Sequence, residues 1–262
     1  LKKKVLRAFV ELANNPFQSY VLKKFTQSSI SRIVVPAFAK TFKINQEEME
    51  RPLQQYGSLH EFFIRKLKTG ARPIDERENH LVSPVDGTLA EMGVLKEGTS
   101  FFVKGQHYSL SEMLGSDAEA KKYEEGRYAL FYLSPSDYHR IHSPHAGTIR
   151  KQWALGKKSA PVNHVGLKYG KRPLSRNYRF ITEMQVGGRA MAIVKIGAMN
   201  INSIILTHQK ACLKKGDEMG YFSFGSSVLL LFEKDMYHPT STSLPVKIKI
   251  GESIGTFEEA ST

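Results

Sequence analysis

Three histidines recur at every third position in the segment Asp137-Tyr138-His139-Arg140-Ile141-His142-Ser143-Pro144-His145. Imidazole titrates near neutrality and so suits general acid and base work, especially when a carboxylate orients the ring. Asp86 is the natural orienting partner. It stands in Ser83-Pro84-Val85-Asp86-Gly87-Thr88-Leu89, which repeats the turn chemistry of Ser143-Pro144-His145-Ala146-Gly147-Thr148-Ile149. A fold that superposes the two turns brings Asp86 toward His142. Zinc ligation by His139, His142 and His145 is the competing chemistry, although Pro144 limits any helix that would align them and no adjacent carboxylate completes a familiar zinc motif. A further segment, Tyr221-Phe222-Ser223-Phe224-Gly225-Ser226-Ser227-Val228, sets a hydroxyl pair behind a glycine between two apolar runs. Taken alone, it reads as ordinary hairpin-turn chemistry.

The elements that must position these residues divide the chain in two. Apolar periodicity predicts helices over Lys4 to Asn14 and Ser19 to Lys40, with Pro36 bending or ending a segment. Asn45 with Glu48 and Ser58 with Glu61 read as capping boxes that start two more helices, the second leading into Phe62, Phe63 and Leu67. From about Leu81 the pattern changes to short β-type runs punctuated by glycine and proline, with a helical interruption around Ser111 to Glu125. Predicted strands include Gly87 to Leu95, Tyr128 to Leu133, Ala190 to Ile196, Ile201 to His208, Tyr221 to Phe224 and Val228 to Glu233. A second internal repeat sets Lys215-Gly216-Asp217-Glu218-Met219-Gly220-Tyr221-Phe222 against Ile250-Gly251-Glu252-Ser253-Ile254-Gly255-Thr256-Phe257. Such glycine-punctuated turns recur in the barrel-sandwich folds of lipoyl and biotinyl carriers. The expected fold is therefore α+β, with N-terminal helices before a β-rich, barrel-sandwich-like core. No lysine at a hairpin tip supports a carrier function.

Composition narrows the partners. The 262 residues, 41% of them hydrophobic, suffice for an ordinary core. A single cysteine, Cys212, excludes an internal disulfide and a thiolate zinc cluster, and fits a reducing compartment. No run approaches the roughly 18 apolar residues of a spanning helix, so the chain is expected not to be integral to a membrane. The formal charge of +13 calls for an anionic partner, whether nucleic acid, lipid surface or small molecule. Residues 1–45 carry nine Lys or Arg against the single acid Glu11, interleaved with apolar residues such as Phe9, Leu22, Phe25, Ile30 and Ile33, which is the composition of basic amphipathic helices. Residues 138–182 carry ten Lys or Arg and no acid. On composition alone, a binding module for nucleic acid or lipid stands beside the enzyme readings.

In this order, and over nearly the whole chain, these segments resemble the phosphatidylserine decarboxylases of the short bacterial type. The resemblance rests on Phe62-Phe63-Ile64-Arg65-Lys66-Leu67, Gly70-Ala71-Arg72-Pro73-Ile74-Asp75, Ser83-Pro84-Val85-Asp86-Gly87 and Asp137 through Pro144. It continues through Pro161-Val162-Asn163, Gly197-Ala198-Met199-Asn200-Ile201-Asn202-Ser203-Ile204 and Phe222-Ser223-Phe224-Gly225-Ser226-Ser227. Three positions depart from the commonest pattern: Ser227 in place of threonine, Asn202 where glycine is frequent, and Tyr178 within Asn177-Tyr178-Arg179.

The resemblance implies a proenzyme that cuts itself between Gly225 and Ser226 into a large chain, 1–225, and a small chain, 226–262. Ser226 attacks the Gly225 carbonyl and ends as an N-terminal pyruvoyl group, the covalent cofactor, which forms a Schiff base with the substrate. Asp86, His142 and Ser226 form the self-cleavage relay, and His139 is left to handle substrate or a proton. No metal is implied. The implied substrate is phosphatidylserine in an anionic membrane, decarboxylated to phosphatidylethanolamine. Residues 1–45 then become a peripheral docking segment on the cytoplasmic side of the cell membrane, 46–262 the catalytic domain, and the basic 138–182 tract a headgroup site rather than a nucleic-acid patch. A homodimer is also implied.

Overall fold

Val228-Leu229-Leu230-Leu231-Phe232 is an unbroken apolar run, the pattern of a strand covered on both faces. It forms the body of β13 (Ser226–Phe232), all seven residues of which are buried. A computed structural model of the chain describes residues 16–95, 100–160, 162, 167, 172–198, 203–223, 225–240 and 243–258. In it β13 pairs antiparallel with β5 (Arg127–Leu133) on one side and β9 (Arg189–Gly197) on the other. The sheet extends through β8 (Arg179–Val186), β7 (Gly147–Leu155) and β11 (Cys212–Leu213) beyond β9. Beyond β5 lie β2 (Gly87–Val94) and β15 (Val246–Ile248), giving eight strands in the order β11-β7-β8-β9-β13-β5-β2-β15.

Alternate side chains of β13 serve two cores. Val228, Leu230 and Phe232 meet Phe131, Ile193 and Met191 on one face. Leu229 and Leu231 meet Leu130, Val194 and Ile196 on the other. The second core is closed by the hairpin of β3 (Ser100–Val103) with β4 (Gln106–Ser109), together with short helices at Leu110–Leu114, Asp117–Lys121 and Pro173–Arg176. Two helices thus replace the single interruption expected around Ser111 to Glu125.

The first core is closed by two small sheets that are copies of one design. One has the order β1-β16-β14 (His80–Val82, Ser253–Phe257, Tyr237–Pro239); the other has β6-β12-β10 (Arg140–His142, Glu218–Phe222, Ile204–Leu206). The two internal repeats meet here. Val82 N donates to Pro144 O at 3.0 Å, and His142 N donates to Pro84 O at 2.8 Å. Ser83 Oγ donates to Val85 O and Ser143 Oγ to His145 O, both at 2.7 Å. Ser83 N donates to Glu252 O and Ser143 N to Asp217 O, both at 2.8 Å. Ile74 packs against both Gly216 and Gly251, between the copies. The core is therefore β-rich and layered as expected, but the sheets stay open; among the described residues they close no barrel.

At the N-terminal end the predicted helix over Lys4 to Asn14 lies outside the described residues. The single helix expected over Ser19 to Lys40 is broken into α1 (Pro16–Gln27), a 3₁₀ segment Ser29–Val34, and α2 (Val35–Thr41). Hydroxyls cause the break: Ser28 Oγ donates to Phe25 O and Ser31 Oγ to Thr26 O, while Ser31 Oγ accepts from Leu59 N. Pro36 begins a helix rather than ending one, since its missing N–H falls among the free donors of the first turn. Asn45 starts no helix; its side chain caps a turn through Glu47 N. Ser58 does cap α3 (Leu59–Phe63), accepting from Glu61 N at 3.1 Å, while the Glu61 carboxylate takes Gly57 N. Val35, Ala39, Ile44, Met49, Tyr56, Leu59 and Phe62 form a third core across these elements, on both sides of residue 45. Among the described residues, no helix is long and apolar enough to cross a membrane.

Candidate active site

Ser226 opens a buried strand instead of sitting in a turn. It lies opposite Leu133 on β5 and Gly197 on β9, is fully buried, and its Oγ has no hydrogen-bond partner. The carbonyl of the preceding residue is held: Ala198 N donates to Gly225 O at 2.9 Å. A backbone N–H fixed on a carbonyl oxygen beside a buried hydroxyl is the arrangement that stabilises charge developing on that oxygen during attack.

Both candidate imidazoles are fixed in a tautomer by a backbone carbonyl. His142 Nδ1 lies 2.8 Å from Gly216 O, and a carbonyl only accepts, so Nδ1 carries the proton and Nε2 keeps its lone pair. That Nε2 is buried and without a partner. Burial lowers the pKa of His142, against the opposing pull of the Gly216 bond and the Glu218 and Asp86 charges, so the ring is neutral. In His139 the nitrogens are exchanged. Nε2 bonds Ser134 O at 3.0 Å and Nδ1 is the buried, unpartnered lone pair. The ring stacks on Phe63 with centroids 4.0 Å apart, and burial together with the Arg65 charge pushes its pKa far below the ordinary value.

The backbone places His139 nearer the Ser226 end of the sheet. Ser134 directly follows Leu133, the cross-strand partner of Ser226, and Phe222 N donates to His139 O at 2.9 Å. His142 pairs further down β12, opposite Glu218. Asp86 is held elsewhere. Arg72 Nε reaches both its oxygens, at 2.9 and 3.0 Å, and Arg72 Nη2 reaches Oδ2 at 2.5 Å. Ile250 N donates to Oδ1 at 2.9 Å, and Arg72 also bonds Glu48. Asp86 and His142 thus share a neighbourhood, with the Pro84 carbonyl on His142 N, but Asp86, His142 and Ser226 are not hydrogen-bonded to one another. His145 turns away and bonds Glu78 O. Among the described residues, no cluster of three or more His, Cys, Asp or Glu side chains is set to hold a metal ion.

A cavity of about 420 Å³ opens beside Asp86, lined among others by Lys43, Arg65, Arg72, Tyr138 and Lys247. Arg65 is 4% exposed; its Nη2 bonds Ser136 O and Asp137 O, while Nε and Nη1 are buried without partners.

Comparison with known proteins decides the family. The sequence profile of the phosphatidylserine decarboxylases matches residues 59–256, a span that holds every candidate residue above. Proteins named phosphatidylserine decarboxylase proenzyme are similar along their full length. One from a Geobacillus species is 54% identical over 250 residues, covering 95% of this chain and 96% of its own. Another, from Geobacillus kaustophilus, is 51% identical over 261 residues and covers 99% of each. A third, from Halalkalibacterium halodurans, is 51% identical over 257 residues and covers 98% and 99%. The chain belongs to the phosphatidylserine decarboxylase family.

Within this phosphatidylserine decarboxylase family member, several residues around the site carried no sequence signal of their own. Arg72 and Arg65 stand in segments that support the resemblance, yet nothing in a linear pattern pairs Arg72 with Asp86 or buries Arg65. Ala198 contributes only its backbone. The basic 138–182 tract also divides: Arg140 is buried on Glu218 at 2.6 Å, and Arg179 is buried on the carbonyls of Met113, Asn177 and Glu112. Those two cations are committed to the fold.

Proposed function

We propose that this chain is a self-cleaving proenzyme whose product decarboxylates phosphatidylserine to phosphatidylethanolamine. The observation that carries the self-cleavage is the buried, unpartnered Ser226 Oγ next to a Gly225 carbonyl already held by Ala198 N–H. Ser226 Oγ attacks the Gly225 carbonyl carbon. The Oγ–C bond forms, the Gly225–Ser226 amide bond breaks, and the proton leaving Oγ ends on the Ser226 nitrogen. The result is an ester. Removal of the Ser226 Cα proton then expels the Gly225 carboxylate, and hydrolysis with loss of ammonia leaves a pyruvoyl group at position 226.

A serine hydroxyl needs a base, and His142, neutral with its Nε2 lone pair free, has the form of one. Asp86, ion-paired with Arg72, acts on it through its charge. One observation favours a second assignment, with His139 as the base of cleavage: its ring is tied beside the strand partner of Ser226. The surroundings of position 226 fit a pyruvoyl group, since they offer the Ala198 N–H to a carbonyl oxygen. That group supplies the electron sink for the carbanion left when carbon dioxide departs. Arg65, on the wall of the cavity beside Asp86, offers a cation to an anionic headgroup.

Residues 1–45 serve as the docking segment and 46–262 as the catalytic part, at the cytoplasmic face of the cell membrane. Tyr20, Val21, Phe25, Ile30 and Ile33 are exposed apolar side chains on α1 and the 3₁₀ segment, next to Lys23, Lys24 and Arg32, which supports insertion among anionic lipids.

The test is a set of purified variants assayed for chain cleavage and for carbon dioxide release from phosphatidylserine vesicles. Ser226→Ala stays one chain and is inactive. His142→Ala and Asp86→Ala stay uncut, whereas His139→Ala is cut but releases carbon dioxide at least about a hundredfold more slowly. The reverse pattern for the two histidines moves the cleavage role to His139, and efficient cutting of Ser226→Ala contradicts the whole reading.

A further inference from the structure

Besides Ser226 and Ser227 on β13 itself, another buried hydroxyl near the start of that strand has nothing to bond. Ser203 is fully buried and its Oγ has no partner. Its backbone is fastened to the loop that precedes the scissile bond: Ser203 O accepts from Ser223 N at 2.8 Å and from Ser223 Oγ at 3.2 Å. Its side chain is aimed at Gly197, where an added Cβ would stand 2.2 Å from Ser203 Oγ.

Gly197 is the residue directly across from Ser226. The bond from Ala198 N to Gly225 O makes the neighbouring pair the hydrogen-bonded one. Gly197 and Ser226 are therefore a non-hydrogen-bonded pair, in which side chains on one face come closest, with Cα atoms about 4.5 Å apart. Ser203 Oγ thus fills the place that a side chain at 197 would occupy, on the face of the strand pair that carries the side chain of Ser226. Glycine is needed at 197 because the hydroxyl of another segment takes the room. Burying a hydroxyl without a partner is unfavourable, and two of them facing one strand pair is an arrangement that packing alone does not call for.

We propose that Ser203 is a positioning residue of self-cleavage. When the two hydroxyls, not bonded to each other in this structure, close on one another, Ser203 Oγ–H donates to one lone pair of Ser226 Oγ, which leaves the Ser226 proton for the base and turns the other lone pair toward the Gly225 carbonyl carbon. The covalent step is the one already given: the bond from Ser226 Oγ to the Gly225 carbon forms, the amide bond breaks, and the proton passes to the Ser226 nitrogen. Ser203 is unchanged at the end. The inference rests on the reading that Ser226 cuts the chain at Gly225.

The experiment follows full-length proenzyme made in a short pulse of cell-free translation, with the fraction cut read against time. Ser203→Ala is expected to cut at least about tenfold more slowly than wild type, in line with the cost of a misplaced reacting atom. Ser203→Thr, which keeps the hydroxyl, stays close to the wild-type rate. Hydroxylamine, which breaks esters, is expected to release no extra small chain from Ser203→Ala, because the defect precedes the ester. Cutting of Ser203→Ala at the wild-type rate overturns the proposal. So does slow cutting with prompt release by hydroxylamine, which places Ser203 in the later elimination. Should Ser203→Ala melt well below wild type when both carry Ser226→Ala, the near-isosteric Ser203→Cys is read in its place, with the same slowing expected and a wild-type rate overturning the proposal. A wild-type chain that stays whole overturns the underlying reading as well, and so is told apart from failure of the inference alone.

Discussion

His139, His142 and Lys195 are buried where charge is costly, and each has a pKa lowered chiefly by that burial. For the imidazoles the unfolded chain binds protons below about pH 6.5, while the folded chain resists them. Stability from these groups is complete above that pH and is lost as the pH falls toward the lowered folded values. The uncut Ser226→Ala chain should therefore melt at a falling temperature from pH 7 to pH 5, with a shallower fall when His139→Gln is added; an unchanged fall would remove His139 from the account. Lys195 is fully buried on β9, with its Nζ 2.7 Å from Thr182 Oγ1 and its pKa lowered to about 7. Between about pH 7 and the ordinary lysine value near 10.4, the unfolded state binds more protons than the folded one, so stability rises with pH across that window. Lys195→Met in the same uncut background should flatten the rise and lift the melting temperature at pH 7 by about 5 °C; calorimetry showing a steeper rise or a lower midpoint would contradict this. At this scale the resemblance singles out Ser226, His139, His142 and Asp86 as candidates, because they stand in short, dense segments. The histidine tautomers were not legible, since the carbonyl that fixes His142 comes from Gly216, and neither was the clamp on Asp86, supplied by Arg72 from a separate segment.

The strands and turns were the most legible elements. Both internal repeats are visible in the sequence because each copy must make the same bonds: the Ser-Pro turn and the glycine turn of one copy hold each other as those of the second copy do. The repeats also pointed to Asp86 lying toward His142, and the two turns do meet through Val82 N to Pro144 O and His142 N to Pro84 O; what they did not reveal is that Asp86 bonds Arg72 and Ile250 N instead of the imidazole. Ser226 was misplaced when read as turn chemistry, since Gly225-Ser226-Ser227 has turn composition while its pairing with Leu133 and Gly197 is long-range. The helix expected over Ser19 to Lys40 was read as longer than it is, because apolar spacing does not report hydroxyls that capture backbone groups, as Ser28 and Ser31 do. Ile30 and Ile33, 67% and 77% exposed, belong to this end. Replacing both with serine should change folding stability by less than about 0.5 kcal/mol. Affinity for vesicles rich in anionic lipid should fall at least about tenfold in a flotation assay. Unaltered vesicle binding would move the docking surface elsewhere.

Across the whole molecule, the segment after Gly225 is woven into the eight-stranded sheet, one of the small sheets and the cores on both faces of β13. β13 is an interior strand of the eight-stranded sheet, β15 is its edge next to β2, and β16 is the middle strand of one of the small sheets. A cut before Ser226 severs the chain without releasing either piece, because the small chain leaves only by opening both sheets. The most direct test of self-cleavage is therefore an intact mass spectrum of freshly purified wild-type protein, taken under native and then denaturing conditions, with and without a carbonyl-reactive hydrazine. Self-cleavage predicts one particle in the native spectrum that separates on denaturation into residues 1–225 and 226–262. The small chain should be lighter by ammonia than one beginning with serine and should gain the mass of the reagent. A single unmodified chain of 29.6 kDa under denaturing conditions, indifferent to hydrazine, would contradict it.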